Sequence, residues 1–90
     1  MTGYVSRGAV AAVLLFLGAC GSSNACTTEP QSKWLPEAKM REMAVQLGYK
    51  VDVLKVSGTC YEIYGWTKDG KKAEVYFNPV TGAPVRTEIG

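Results

Sequence analysis

The sequence contains no histidine, and its 90 residues include only three cysteines. Without histidine, no imidazole can activate a nucleophile, and the commonest nitrogen ligand of zinc is missing. The cysteines, Cys20, Cys26 and Cys60, form no CxxC pair, which argues against a thioredoxin-like redox site or a zinc knuckle. A formal net charge of only +2 does not favour nucleic acid as a partner. These absences favour a protein that is not an enzyme and that binds no metal, cofactor or nucleic acid.

Charge is also scarce at the N-terminus. Arg7 is the only charged side chain among the first 28 residues, and an apolar run from Ala9 to Ala19 follows it. This pattern is typical of a secretory signal peptide, whereas a membrane-spanning helix needs about 20 apolar residues. A helix buried in a protein core would show a polar face, which this run lacks. We expect residues 1–19 to be a signal peptide that exports the protein.

Two cleavage sites compete at the end of this signal. Leu17-Gly18-Ala19-Cys20 resembles a bacterial lipobox, in which the cysteine receives a diacylglycerol group and becomes the mature N-terminus. Residues 20–33 would then form a tether and an irregular lead-in. Ser23-Asn24-Ala25 instead matches an ordinary cleavage site, which would release a soluble protein beginning at Cys26. The lipobox favours lipidation of Cys20, so we expect a protein of the periplasm or cell envelope that is anchored to a membrane through this lipid.

Either cleavage leaves Cys26 and Cys60 as a pair. Export would place both thiols in an oxidising compartment. The remaining chain would have only about 65 to 71 residues, a size at which one apolar core is marginal and a covalent link helps. We therefore predict a disulfide between Cys26 and Cys60.

Hydrophobic periodicity predicts one helix followed by antiparallel strands. The helix begins at Pro36-Glu37 and ends at Gly48, and its apolar stripe consists of Met40, Met43, Ala44 and Leu47. Alternation with period two predicts strands over residues 49–56, 60–66 and 72–77, and residues 83–89 add an edge strand. A change of phase near Val53-Leu54 predicts a β-bulge. The predicted fold is α+β: a domain over residues 34–90 with one helix packed on a three- to four-stranded antiparallel sheet, preceded by a signal peptide.

The segment from Cys60 to Gly82 resembles the closing hairpin of a PepSY domain. The resemblance rests on Tyr61-Glu62-Ile63, on Gly70 and on the run EVYFNPVTG at 74–82, in which Asn78 stands where the family usually has aspartate. PepSY-like domains occur in the propeptides of zinc metallopeptidases and as small exported bacterial proteins. The resemblance implies a domain that binds an envelope protein, in particular a peptidase, and restrains it.

Alternation also assigns the two faces of the sheet. The helix should cover Tyr61, Ile63, Ala73, Val75 and Phe77, and the opposite face should then carry Glu62, Tyr64, Trp66, Lys72, Glu74 and Tyr76. Two glutamates on neighbouring strands can serve as acid and base, but solvated charges on an open sheet face are the simpler interpretation.

The aromatic residues of the second face suggest a binding surface. Aromatic side chains often anchor protein interfaces, although they also stabilise open sheets by cross-strand stacking. We predict that Tyr64, Trp66 and Tyr76 form a protein-binding surface. The alternative function is that of a structural or accessory envelope lipoprotein without inhibitory activity.

Overall fold

The computed structural model describes residues 24–90, which form one α-helix and a four-stranded antiparallel sheet. The helix α1 spans Glu37–Gln46, and the strands are β1 Lys50–Ser57, β2 Cys60–Trp66, β3 Lys72–Phe77 and β4 Pro84–Ile89. They lie in the sheet in chain order. The predicted α+β architecture is confirmed with its fourth strand present, while the predicted signal peptide and Cys20 lie outside the described residues. No helix among residues 24–90 is long and apolar enough to cross a membrane.

The helix begins and ends where the sequence predicts. Pro36 has extended backbone angles at the N-cap, and Gly48 takes a φ of 104° after the last turn. Met40 and Ala44 are fully buried, but Leu47 is 54% exposed, so its assignment to the apolar stripe was wrong. Leu47 is the C-cap residue, and the chain turns at Gly48 towards β1, so this side chain lies beyond the part of the helix that packs on the sheet.

The core lies between α1 and one face of the sheet. Its buried members are Met40, Ala44, Tyr61, Ile63, Ala73, Val75 and Phe77. Ile63 pairs with Val75, and Tyr61 pairs with Phe77, so apolar side chains of β2 and β3 stand opposite one another. The predicted helix-facing set is therefore correct.

A bulge in β1 lies slightly earlier than predicted. The register with β2 shifts between Val51 and Val53, which makes Asp52 the extra residue. At this point the two backbones are so close that a Cβ on Gly65 would collide with the carbonyl oxygen of Lys50. Glycine is therefore required in the middle of β2.

The lead-in before α1 is fastened to the sheet. The predicted disulfide between Cys26 and Cys60 is present, with a Cα–Cα distance of 5.1 Å. The backbone N–H of Cys26 donates a hydrogen bond to Thr59 Oγ1 at 2.8 Å. Trp34 packs edge-on against Tyr61, with ring centroids 5.4 Å apart. Apart from a 3-10 turn at Gln31–Lys33, this segment is irregular, as the sequence predicts.

Candidate functional site

The candidate site is the face of the sheet opposite α1, which we call the open face. Its polar and aromatic members include Lys50, Asp52, Lys55, Glu62, Tyr64, Trp66, Lys72, Glu74, Tyr76, Arg86 and Glu88. At its centre the triplet Glu-x-Tyr occurs once in β2 and once in β3. Because these strands are antiparallel, Glu62 stands opposite Tyr76 and Tyr64 stands opposite Glu74. The two acids and two phenols therefore alternate around a square.

Glu62 is the most deeply buried of these four side chains. It is only 2% exposed, so its assignment as a solvated residue was wrong. Its cross-strand partners are Lys55 on one side and Tyr76 on the other, and both are long enough to cover a carboxylate. Glu62 Oε1 lies 4.0 Å from Lys55 Nζ, while Oε2 is closed off from solvent and has no hydrogen-bond partner. A buried carboxylate with so little compensation is costly in its ionised form.

The two carboxyl groups of the square titrate in opposite directions. Burial raises the pKa of Glu62, and the nearby carboxyl group of Glu74 raises it further. The pKa of Glu74 is lowered by its contact with Glu62 and by the hydroxyl of Tyr76, which donates a hydrogen bond to Glu74 Oε2 at 2.8 Å. The pair therefore takes up its first proton at Glu62.

The same carboxylates make ionisation of the two phenols less favourable. The neighbouring carboxyl group of Glu62 raises the pKa of Tyr64 to about 12, and hydrogen bonding to Glu74 raises that of Tyr76 to about 12. Both hydroxyls thus remain hydrogen-bond donors throughout the physiological pH range.

Replacing Glu62 with glutamine should change how stability depends on pH. Since the pKa of Glu62 is raised on folding, the native protein binds this proton more tightly, and its free energy of unfolding should fall as pH rises above the ordinary value of 4.5. Glu62→Gln should remove this fall and stabilise the protein at neutral pH. Urea denaturation at several pH values measures the free energy of unfolding of each variant. Glu29→Gln is the control, because Glu29 is exposed. A fall of equal size in wild type and Glu62→Gln would show that another group causes it.

Two cations cover the tyrosine rings. The guanidinium carbon of Arg86 lies 4.2 Å from the centroid of the Tyr76 ring, and Lys55 Nζ lies 5.2 Å from that of Tyr64. Tyr76 is only 7% exposed, whereas Tyr64 is 39% exposed. The structure thus places Tyr76 on the predicted face but covers it, and a partner would meet Arg86 first.

Trp66 lies at one end of the open face and borders a groove. Its indole Nε1 donates a hydrogen bond to Asp52 Oδ2 at 2.8 Å, so the bulge in β1 fixes the orientation of this ring. The groove has a volume of about 520 Å³. Its walls include two aromatic side chains, three carboxylates and one lysine: Tyr64, Trp66, Asp52, Glu74, Glu88 and Lys72. Aromatic surface bordered by carboxylates suits a basic side chain of a partner.

The part of the chain that the structure describes contains no complete site for acid–base catalysis or for metal binding. Glu62 Oε2 is inaccessible to solvent, so Glu62 and Glu74 do not both face a position that a substrate can occupy. Among residues 24–90, no group of three or more Cys, Asp or Glu side chains is arranged to hold a metal ion. The open face is an ordered surface of aromatic and charged side chains.

Comparison with known proteins identifies the family. A family model described as peptidase propeptide and YPEB domain, PepSY, matches residues 7–88. The chain belongs to the PepSY family. The match spans nearly the whole chain, so the resemblance seen in the hairpin is confirmed. Searches of curated proteins and of solved structures gave no match.

The PepSY hairpin also accommodates its unusual asparagine. Asn78 Oδ1 accepts hydrogen bonds from the backbone N–H groups of Val80 at 2.9 Å and Thr81 at 3.3 Å. An amide oxygen serves in this turn as a carboxylate oxygen would, so the substitution leaves the turn intact.

Five members of this PepSY open face were not identified from the sequence: Lys50, Asp52, Lys55, Arg86 and Glu88. Lys55 and Arg86 are cross-strand neighbours of Glu62 and Tyr76, so a correct register would have found them. Asp52 depends on the position of the bulge, which alternation located only approximately.

Proposed function

We propose that this PepSY domain is a non-enzymatic binding module of the cell envelope that restrains a peptidase. Membership of a family of peptidase propeptides is the observation that carries this proposal. The closed carboxylate of Glu62 and the accessible rings of Tyr64 and Trp66 support binding rather than catalysis. The open face would contact the peptidase.

The open face is well suited to binding because it is already ordered. Trp66 is held by Asp52, and the disulfide fixes the lead-in to β2. A partner would therefore lose little affinity to the ordering of side chains. The carboxylates of Asp52, Glu74 and Glu88 around the groove favour a basic segment of the peptidase.

We place this interaction outside the cytoplasm. The charge of Arg7, the apolar run of residues 9–19 and the lipobox at Cys20 support export followed by lipidation. Intact mass distinguishes a lipidated chain that begins at Cys20 from a lipid-free chain that begins at Cys26.

The function is tested by capture followed by an activity assay. The mature protein is immobilised and exposed to envelope extract, and each retained protein is purified and assayed for peptide hydrolysis with and without the PepSY protein. We expect a retained peptidase whose activity falls when the PepSY protein is added. Retention of assembly proteins, with no peptidase slowed, would instead favour the accessory function.

The contact surface gives a separate prediction. Trp66→Ala or Tyr64→Ala should weaken binding to the retained peptidase by about 2 kcal/mol or more, roughly 30-fold in Kd, because both rings border the groove. Leu47→Ala is the matched control, since Leu47 is an exposed apolar residue at the end of α1. Calorimetric titration measures each affinity, and thermal unfolding checks the fold. Unchanged affinity in both aromatic variants would place the contact elsewhere.

A further inference from the structure

Among residues 24–90, β4 has a neighbouring strand on one side only. Its other side presents backbone donors and acceptors that a further strand can pair with. The opposite edge, β1, carries two protective features: the bulge at Asp52, and the lysines Lys50 and Lys55. In β4 the protective features are confined to its start, where Val85 forms a bulge beside Pro84, and the strand carries no lysine. It is therefore the edge better suited to pairing.

The outward backbone groups of β4 follow from its ladder with β3. The N–H of Gly90 donates to the carbonyl of Lys72 at 3.0 Å, and inward and outward residues alternate along an antiparallel pair. Arg86 and Glu88 therefore bond to β3, while the N–H and C=O groups of Thr87 and Ile89 point away from it.

We propose that two copies of this chain pair through β4, antiparallel, around a two-fold axis at Thr87. Thr87 of one copy then lies opposite Thr87 of the other, and their outward N–H and C=O groups bond reciprocally. Arg86 of each copy stands opposite Glu88 of the other, and Val85 stands opposite Ile89. The strand is complementary to itself, as a two-fold interface requires.

Side-chain placement supports this register. Arg86 Nε lies 3.3 Å from Glu88 Oε2 in the same chain, so both occupy the open face, where the opposing pair would extend this contact into a network of four charges. Val85 is 54% exposed and Ile89 is 46% exposed. Pairing Val85 with Ile89 of the second copy would cover part of both side chains.

The charges also disfavour the neighbouring registers. A two-fold axis at Arg86 would place two arginines opposite each other, and an axis at Glu88 would do the same with two glutamates. Like charges directly opposite on adjacent strands are destabilising. The centre at Thr87 is thus preferred over both of these alternatives.

Such a dimer would present two grooves to the same side. Directly opposite residues of antiparallel strands share a face, so both open faces would lie on one side of an eight-stranded sheet. The interface is one short strand from each copy, which is below the roughly 1,000 Å² of a stable complex, so the dimer should be weak in dilute solution. Tethering both copies to one membrane would raise their effective concentration.

Charge reversal tests the proposal. Two copies of the full chain carrying different C-terminal tags on flexible linkers are co-expressed and cross-linked in intact cells, so that a weak dimer survives lysis, and the fraction of one recovered with the other is measured. Wild-type copies should co-purify. Glu88→Arg in both copies should reduce recovery at least tenfold, because two arginines then face each other, and so should Arg86→Glu in both. Glu88→Arg in one copy with Arg86→Glu in the other should restore recovery to within about twofold of wild type.

Arg86→Glu could unfold the chain by uncovering Tyr76. A backbone variant tests the proposal without changing Arg86. Thr87→Pro removes an outward N–H without breaking the ladder to β3, and it should also abolish co-purification. Thermal unfolding of each variant checks the fold. Absence of wild-type co-purification would overturn the proposal. It would also be overturned if the mixed pair of folded charge variants co-purified no better than either matched pair. A folded Thr87→Pro variant that co-purified normally would have the same consequence.

Discussion

Replacing Phe77 with alanine is expected to lower the free energy of unfolding by about 3 to 5 kcal/mol. Phe77 is the largest fully buried side chain of the core, and it stands opposite Tyr61 at the end of β3. Its removal would leave a cavity beneath α1 that a domain this small has little capacity to refill. Since the core of a domain below about 70 to 80 residues rarely supplies more than about 3 to 5 kcal/mol of stability, the variant should be close to unfolded at moderate temperature.

Leu47→Ala is the control for this variant. The side chain of Leu47 is largely exposed, so its truncation should change stability by no more than about 0.5 kcal/mol. Urea denaturation of both variants at one temperature gives the comparison. An equal loss in both would mean that the helix packs through Leu47 and that the core is assigned incorrectly.

Removing the disulfide should have an effect of similar size. Cys26 and Cys60 are 34 positions apart, and closing a loop of this length is worth about 3 to 4 kcal/mol on the chain-entropy model. The double variant Cys26→Ala/Cys60→Ala also frees the lead-in, which positions Trp34 against Tyr61. We expect a large fall in the denaturant midpoint, measured by fluorescence.

A reducing agent provides the matched control for the disulfide. It should lower the midpoint of the wild-type protein to that of the double alanine variant and leave the variant unchanged. If reduction has no effect on the wild type, the covalent link adds nothing to stability and packing alone maintains the fold.

Much of the fold could be predicted because its signals are local. An Asp-Gly turn ending at Gly70 and the Asn78-Pro79 break delimit β3, and alternation between them assigns each side chain to a face. Pro36 and Gly48 delimit the helix by the same kind of local chemistry. These features depend on a few neighbouring residues, so one sequence is enough to detect them.

Burial within the site could not be predicted from the sequence, because it depends on contacts between strands. Alternation along β2 predicts that Glu62 is solvated. Its burial becomes evident only from its neighbours on the adjacent strands, Lys55 and Tyr76. Arg86 covers Tyr76 from β4, which alternation within β3 cannot show. The hydrogen bond between Asp52 and Trp66 depends on the bulge at Asp52, whose position alternation gave only approximately. Alternation assigned the face correctly but not the exposure of its members.

The two tryptophans of the chain offer the most direct measurement of where a partner binds. Trp66 borders the groove on the open face, whereas Trp34 packs against Tyr61 of the core, so each indole N–H signal in an NMR spectrum reports on one side of the sheet. The retained peptidase is titrated into isotope-labelled protein. We predict that the Trp66 signal shifts or broadens while the Trp34 signal is unchanged. A response of Trp34 with Trp66 unaffected would contradict the assignment of the open face as the binding surface.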